Sequence, residues 1–233
     1  MRARAAALLA LALALASCAG APVGTSAASV AAAGNLFSTI PCAETELGRT
    51  WARLLPEAGV RFPGLVLTEV DDLHVTVVYV GPGWRREDLG RIRALALVAP
   101  AEPFASRPAI ARFGATGHVV VAELADAPAA WRAAIDAAKA EMNRLGLKRP
   151  DRYDAGFRPH VTLAASRRRP PEATDAAELE AFREWVAGMA TAAPASFSVS
   201  LGPETPVRLW LAGLPRPAEA PEYVDLERLP SRR

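Results

Sequence analysis

Two short segments of the chain carry the same triplet in the same setting: Leu73-His74-Val75-Thr76-Val77-Val78-Tyr79-Val80-Gly81 and Pro159-His160-Val161-Thr162-Leu163-Ala164-Ala165. Each is a His-x-Thr on an apolar, β-branched run that reads as a strand. Side chains alternate along a strand, so His74 and Thr76 share one face while Val75, Val77 and Tyr79 take the other, and His160 and Thr162 do likewise. A histidine and a threonine buried together among valines cost free energy unless something polar lies opposite. A phosphate group between two such pairs would supply it. One His-x-Thr alone reads as a satisfied structural feature, but two of the chain's three histidines fall in matching contexts 86 positions apart.

The residue types suit cleavage of a phosphodiester. One group must take a proton from water as it attacks phosphorus, and another must give one to the departing oxygen. Two imidazoles with pKa values near neutrality do both, one neutral and one protonated. The threonine hydroxyls donate to the non-bridging oxygens, where charge builds up. On the residues alone the roles of His74 and His160 are exchangeable.

This motif pair, the second written as Phe157-Arg158-Pro159-His160-Val161-Thr162-Leu163-Ala164, resembles the two-histidine phosphoesterase superfamily, whose bacterial branch is usually named for 2′-5′ RNA ligase activity. The resemblance covers roughly Leu65 to Leu211, with Tyr79 and Gly81 where the family commonly has an aromatic and a glycine. It implies an α+β fold, bilobal, with two pseudo-symmetric lobes of mainly antiparallel sheet and flanking helices around a central cleft. It implies His74 as proton donor, His160 as acceptor, Thr76 and Thr162 on the phosphate, no metal and no cofactor. The implied reaction is hydrolysis of 2′,3′-cyclic phosphates or related small nucleotide phosphodiesters; the alternative is an envelope lipoprotein that binds a nucleotide or phosphorylated metabolite in the same cleft without significant turnover. The chain departs from the family where an arginine is frequent after the second motif, at Ala165 or Ser166; Arg167-Arg168-Arg169 follows instead and reads as a solvated basic loop. Tyr79 is expected in the core with Val75 and Val77, and Phe157 is a candidate for stacking on a base.

Composition fits a small substrate. The 233 residues, 51% apolar, suffice for one core or two small lobes sharing a cleft. The formal charge is +2, and Arg2 and Arg4 lie in a segment expected to be removed, so the basic excess that gripping a long nucleic acid requires is absent. Arg2 and Arg4, the apolar run Ala5–Ala16 and then Ser17 and Cys18 read as a signal peptide over residues 1–17. Leu15-Ala16-Ser17-Cys18 resembles the lipobox of bacterial lipoproteins, which implies lipidation of Cys18 and a place in the bacterial cell envelope, anchored on the periplasmic or outer face of the membrane. Residues 18–40 are expected to be the lipidated N-terminus and a flexible linker, and residues 41–233 the phosphoesterase-like domain. The partners expected are a small nucleotide or RNA-end phosphodiester and, through Cys18, the membrane, with no stable protein partner. Cys42 is left to pack as a small apolar residue, and three histidines offer no Cys/His zinc cluster.

The elements that must position these residues follow from periodicity. Leu47, Trp51, Leu54 and Leu55 share one helical face that Pro56 and Gly59 are expected to end. Leu65–Val70 and Leu73–Val80 read as strands joined tightly by Asp71-Asp72, and a helix is expected from about Arg86 to Leu97. Ala109–Phe113 and His118–Leu124 form a hairpin, and Trp131 to Leu145 a helix closed by Gly146. A strand at His160–Ala165, a helix opened by Asp175 with Glu178 three residues on, strands near Ser196–Leu201 and Val207–Leu211, and a proline-rich tail complete the reading.

Overall fold

Strand pairing organises the molecule around the two motif strands. The computed structural model describes residues 34–150, 154, 156–212 and 223–226. In chain order they form β1 (Asn35–Pro41), α1 (Glu46–Arg61), β2 (Leu65–Leu67), β3 (His74–Gly81), α2 (Leu89–Ala96), β4 (Phe104–Ser106), β5 (Ala109–Phe113), β6 (Val119–Glu123), α3 (Ala129–Arg144), β7 (His160–Ser166), α4 (Ala173–Ala192), β8 (Val199–Leu201), β9 (Arg208–Ala212) and β10 (Tyr223–Asp225). The main sheet runs β10-β9-β1-β3-β7-β6-β5, with β2 also on β7, while β4 and β8 pair separately. Each of these pairings is antiparallel.

The two lobes meet where β3 pairs with β7 through Val75 and Val161. Helices α2 and α3 back the lobe of β3, and α1 and α4 back that of β7, β6, β5 and β2. Trp51, Phe62 and Phe182 interlock edge-on behind the second lobe, and the Trp51 indole N–H donates to Thr68 O at 2.8 Å. Burying such rings is worth a few kcal/mol each and holds the motif strand from behind. The lobes are not successive halves of the chain: β1 lies beside β3 with β9 beyond it, whereas α1 and β2, which lie between β1 and β3 in sequence, belong to the other lobe.

Burial repeats along the motif strands. His74, Thr76, His160 and Thr162 are half-buried, and Val75, Val77, Val161 and Leu163 are buried. Both strands then carry a β-bulge at the equivalent place. Ser38 pairs with Val78 and Thr39 with Thr76, which leaves Val77 as the extra residue; Val120 pairs with Ala164 and Val121 with Thr162, which leaves Leu163. The bulge inverts the alternation beyond it. Val78 and Val80 therefore join the core, and Tyr79, expected there, turns to the face of His74 and is 36% exposed, its hydroxyl donating to Asn35 Oδ1 at 3.0 Å.

Several expectations are corrected. The linker expected over residues 18–40 ends sooner, because Asn35–Pro41 is a strand between β3 and β9 with Leu36 and Ile40 fully buried. Its apolar alternation is short and uncharged, and resembles tether. Helix α1 runs through Pro56 and Gly59 to Arg61. Pro56 and Ala52, whose carbonyl loses its helical partner, both lie on the exposed side, where water can replace the lost hydrogen bond. Asp71-Asp72 lies in a 3-10 turn, and β2 pairs with β7 rather than β3. Helix α4 begins at Ala173 without a side-chain cap; Glu178 accepts instead from Gly64 N–H at 2.9 Å and Asp175 from the Ser166 hydroxyl at 3.2 Å. The expected proline-rich tail contributes β10, paired with β9. The signal peptide and Cys18 lie outside the described residues.

Candidate active site

The register at the lobe junction brings the four motif residues together. With Val75 opposite Val161, antiparallel geometry sets His74 opposite Thr162 and Thr76 opposite His160, all four on the face away from the core. That arrangement interleaves the pairs: each histidine has a threonine beside it along its own strand and another across from it.

Both imidazoles are held in the same way. His74 Nδ1–H donates to the carbonyl oxygen of Asp72 at 2.6 Å, and His160 Nδ1–H to that of Arg158 at 2.8 Å, in each case the residue two positions earlier. A carbonyl only accepts, so Nδ1 carries the proton and Nε2 is the nitrogen that takes or gives one. Aromatic rings clamp them. Trp210 of β9 lies 5.0 Å from His74 and Phe37 of β1 5.6 Å, while Phe113 of β5 lies 4.2 Å from His160. Phe37, Trp210 and Val121 are buried yet stand apart from the core cluster, which marks them as the apolar floor of the opposite face.

Electrostatics separates the histidines. Burial pushes His74 down to about 4, opposed by the Asp72 carbonyl and reinforced by His160. Burial also lowers His160, but the Arg158 carbonyl and the Glu123 carboxylate oppose it. Glu123 stands directly across from His160 on β6 and receives a two-pronged hydrogen bond from Arg158, which holds its carboxyl below the usual range. The Arg158 guanidinium in turn lies over the Phe113 ring at 5.2 Å. Burial therefore favours the neutral form of both imidazoles, and of the two it is His160 that has a carboxylate, Glu123, directly across from it.

Sequence reasoning gave no role to Phe37, Phe113, Trp210, Glu123 or Arg158; strand pairing brings in the first four, and Arg158, two residues before His160, meets Glu123 because β6 pairs with β7. The one legible signal was the period-2 pattern Arg208-Leu209-Trp210-Leu211, which aims Arg208 and Trp210 away from the core. Other candidates fall elsewhere. Phe157 packs edge-on against Trp131 at 5.7 Å with Lys139 over its ring at 5.0 Å, so it braces α3. His118 shares a hydrogen bond with Thr116 at 2.9 Å in the hairpin turn. Arg167 donates to the carbonyls of Gly64 and Pro63, and Arg168 pairs with Glu172 at 2.6 Å. Cys42 is a buried thiol raised to about 12 by desolvation, which suits packing. Among the described residues no group of three His, Cys, Asp or Glu side chains is placed to hold a metal ion. A groove of about 1390 Å³ lies beside the four motif residues rather than over them; Asp72, Arg208 and Trp210 form the wall it shares with the surroundings of His74.

No family model and no curated protein sequence matches the chain. Solved structures do. The structure of E. coli LigT complexed with 3′-AMP aligns at a TM-score of 0.53 with 18% identity, over 83% of this chain and 95% of that one. The Thermus thermophilus protein TT0787 aligns at 0.51 with 24% identity, over 82% of this chain and 94% of that one. A structure described as a phosphoesterase aligns at 0.51 with 17% identity, over 83% and 96%. At these identities the likeness speaks to architecture. The chain has the α+β fold of E. coli LigT, of TT0787 and of the structure described as a phosphoesterase.

Proposed function

We propose that the protein is a metal-independent cyclic phosphodiesterase that hydrolyses 2′,3′-cyclic phosphates or related small nucleotide phosphodiesters, with no cofactor. The observation that carries this reading is the matched pair of histidines, each fixed through Nδ1 to the carbonyl two residues back and each facing a threonine of the other strand. His160 Nε2 takes the proton of the attacking water as its oxygen bonds to phosphorus. The bond from phosphorus to one ribose oxygen breaks, and that oxygen leaves with the proton from His74 Nε2. Thr76 and Thr162 donate to the non-bridging oxygens. A donor must give up its proton readily, and burial, which depresses the His74 pKa to about 4, makes its charged form a strong acid. The anionic phosphate favours that charged form when it binds. The 3′-AMP in the E. coli LigT structure supports a ligand of nucleotide size.

Turnover of a panel of cyclic and linear phosphodiesters by the purified protein tests the reading. Hydrolysis of a 2′,3′-cyclic nucleotide, undiminished by excess chelator, is expected; failure on every phosphodiester would end it.

The lipobox-like Leu15-Ala16-Ser17-Cys18 supports a further proposal, that the protein is exported and anchored in the envelope through Cys18, where it meets small products of RNA breakdown.

A further inference from the structure

The two lobes present equivalent rows of residues across their strands, and the rows differ in chemistry. From Thr76 the register leads outward to Thr39 on β1 and Arg208 on β9. From Thr162 it leads to Val121 on β6 and Ala111 on β5. One arm is hydroxyl, hydroxyl, guanidinium; the other is hydroxyl, isopropyl, methyl.

Cross-strand partners share a face, so Thr39 and Arg208 lie on the face of the histidines. Burial along β9 agrees, since Leu209 and Leu211 enter the core cluster behind the sheet and Trp210 packs on the His74 ring. Thr39 is fully buried, and its Oγ1 has no hydrogen-bond partner among the described residues. Leaving a buried hydroxyl unmatched costs about 1–3 kcal/mol, which a bound acceptor would recover. Arg208 borders the groove beside Trp210 and Asp72, the residue whose carbonyl holds His74.

A phosphodiester is an anion, and both histidines are lowered by burial, so a further positive charge on this face would serve it. We propose that Arg208, with the Thr39 hydroxyl beneath it, forms an anion-binding arm that holds a non-bridging phosphate oxygen from the β9 side. An arginine side chain spans most of the roughly 10 Å from β9 to β3, two strand spacings. Because the opposite arm is apolar, the phosphate is bound in one orientation despite the pseudo-symmetric histidines. This rests on the reading that the face binds a phosphodiester.

The test is calorimetric titration of inorganic phosphate into the full-length protein and its Arg208→Met, Arg208→Lys and Thr39→Val variants, with KM and kcat measured on a 2′,3′-cyclic nucleotide. Loss of a charge-assisted bidentate contact should weaken phosphate binding in Arg208→Met by about tenfold or more and raise KM by a similar factor, with the larger effect on KM rather than kcat. Arg208→Lys should recover part of the loss, which a merely structural role would not produce, and Thr39→Val should weaken binding by roughly fivefold or more. Phosphate affinity unchanged in Arg208→Met, or wild-type protein that binds no phosphate, would overturn the proposal. Were Arg208→Met unable to fold, unchanged affinity in both Arg208→Lys and Thr39→Val would overturn it equally. Phosphate binding that depends on Arg208 in a protein without turnover would sustain the anion-binding arm and overturn the enzymatic reading alone.

Discussion

Thr76 of β3 stands across the lobe junction from His160 of β7, and the same register sets Thr162 across from His74. Each histidine is thus paired with a hydroxyl of the other lobe, and the chemistry depends on how the lobes are joined. Replacing either hydroxyl by an isosteric methyl, in Thr76→Val or Thr162→Val, should lower kcat by about one to three orders of magnitude, because the donation serves charge that develops in the transition state. Steady-state kinetics with circular dichroism as a folding control would show it. Equal losses confined to KM would mean that the hydroxyls act only in binding.

The pH dependence follows from burial. The productive form needs one imidazole protonated and one neutral, while burial holds His74 at about 4 and lowers His160 as well. The kcat/KM profile, which reports the free protein, should be bell-shaped with its alkaline limb below the ordinary imidazole value of about 6.5. Bound phosphate favours the charged imidazole, so the limb of kcat should lie at higher pH. The two apparent values belong to the pair. An alkaline limb of kcat/KM above about pH 8, well past the ordinary imidazole range, contradicts the assignment.

Trp210 and Phe37 desolvate the His74 ring. Opening that wall in Trp210→Ala should let water reach the imidazole and raise the His74 pKa from about 4 towards its unperturbed value, as read by NMR titration of the ring protons. A titration curve that does not move would assign the depression to something other than this contact.

If Cys18 carries a lipid, the mature protein should partition with membranes and incorporate a fatty-acid analogue, and Cys18→Ala should release it or leave it unprocessed. Unlabelled, freely soluble wild-type protein would remove the anchor while leaving the enzymatic reading in place.

The motif strands were legible because alternation survives from His74 to Val77 and from His160 to Leu163. It fails just beyond, at bulges that depend on the partner strands: nothing local to Tyr79 reveals that Val77 is unpaired across from β1. Strand β1 was missed for a related reason, since a short uncharged run becomes a central strand only when β3 and β9 are there to pair with it. Glu123 and Arg158 are 35 residues apart, and their ion pair beside His160 exists only because β6 and β7 are neighbours. Long-range pairing therefore completes the site that local sequence announces.

The most direct test of the acid/base pair is the turnover of a 2′,3′-cyclic nucleotide by His74→Ala, His160→Ala and the double variant. Each single change should lower kcat by about two to four orders of magnitude, and the double change should cost far less than the product of the two, because the residues act as one unit. Full activity in His160→Ala or His74→Ala, or losses that multiply in the double variant, would contradict the account.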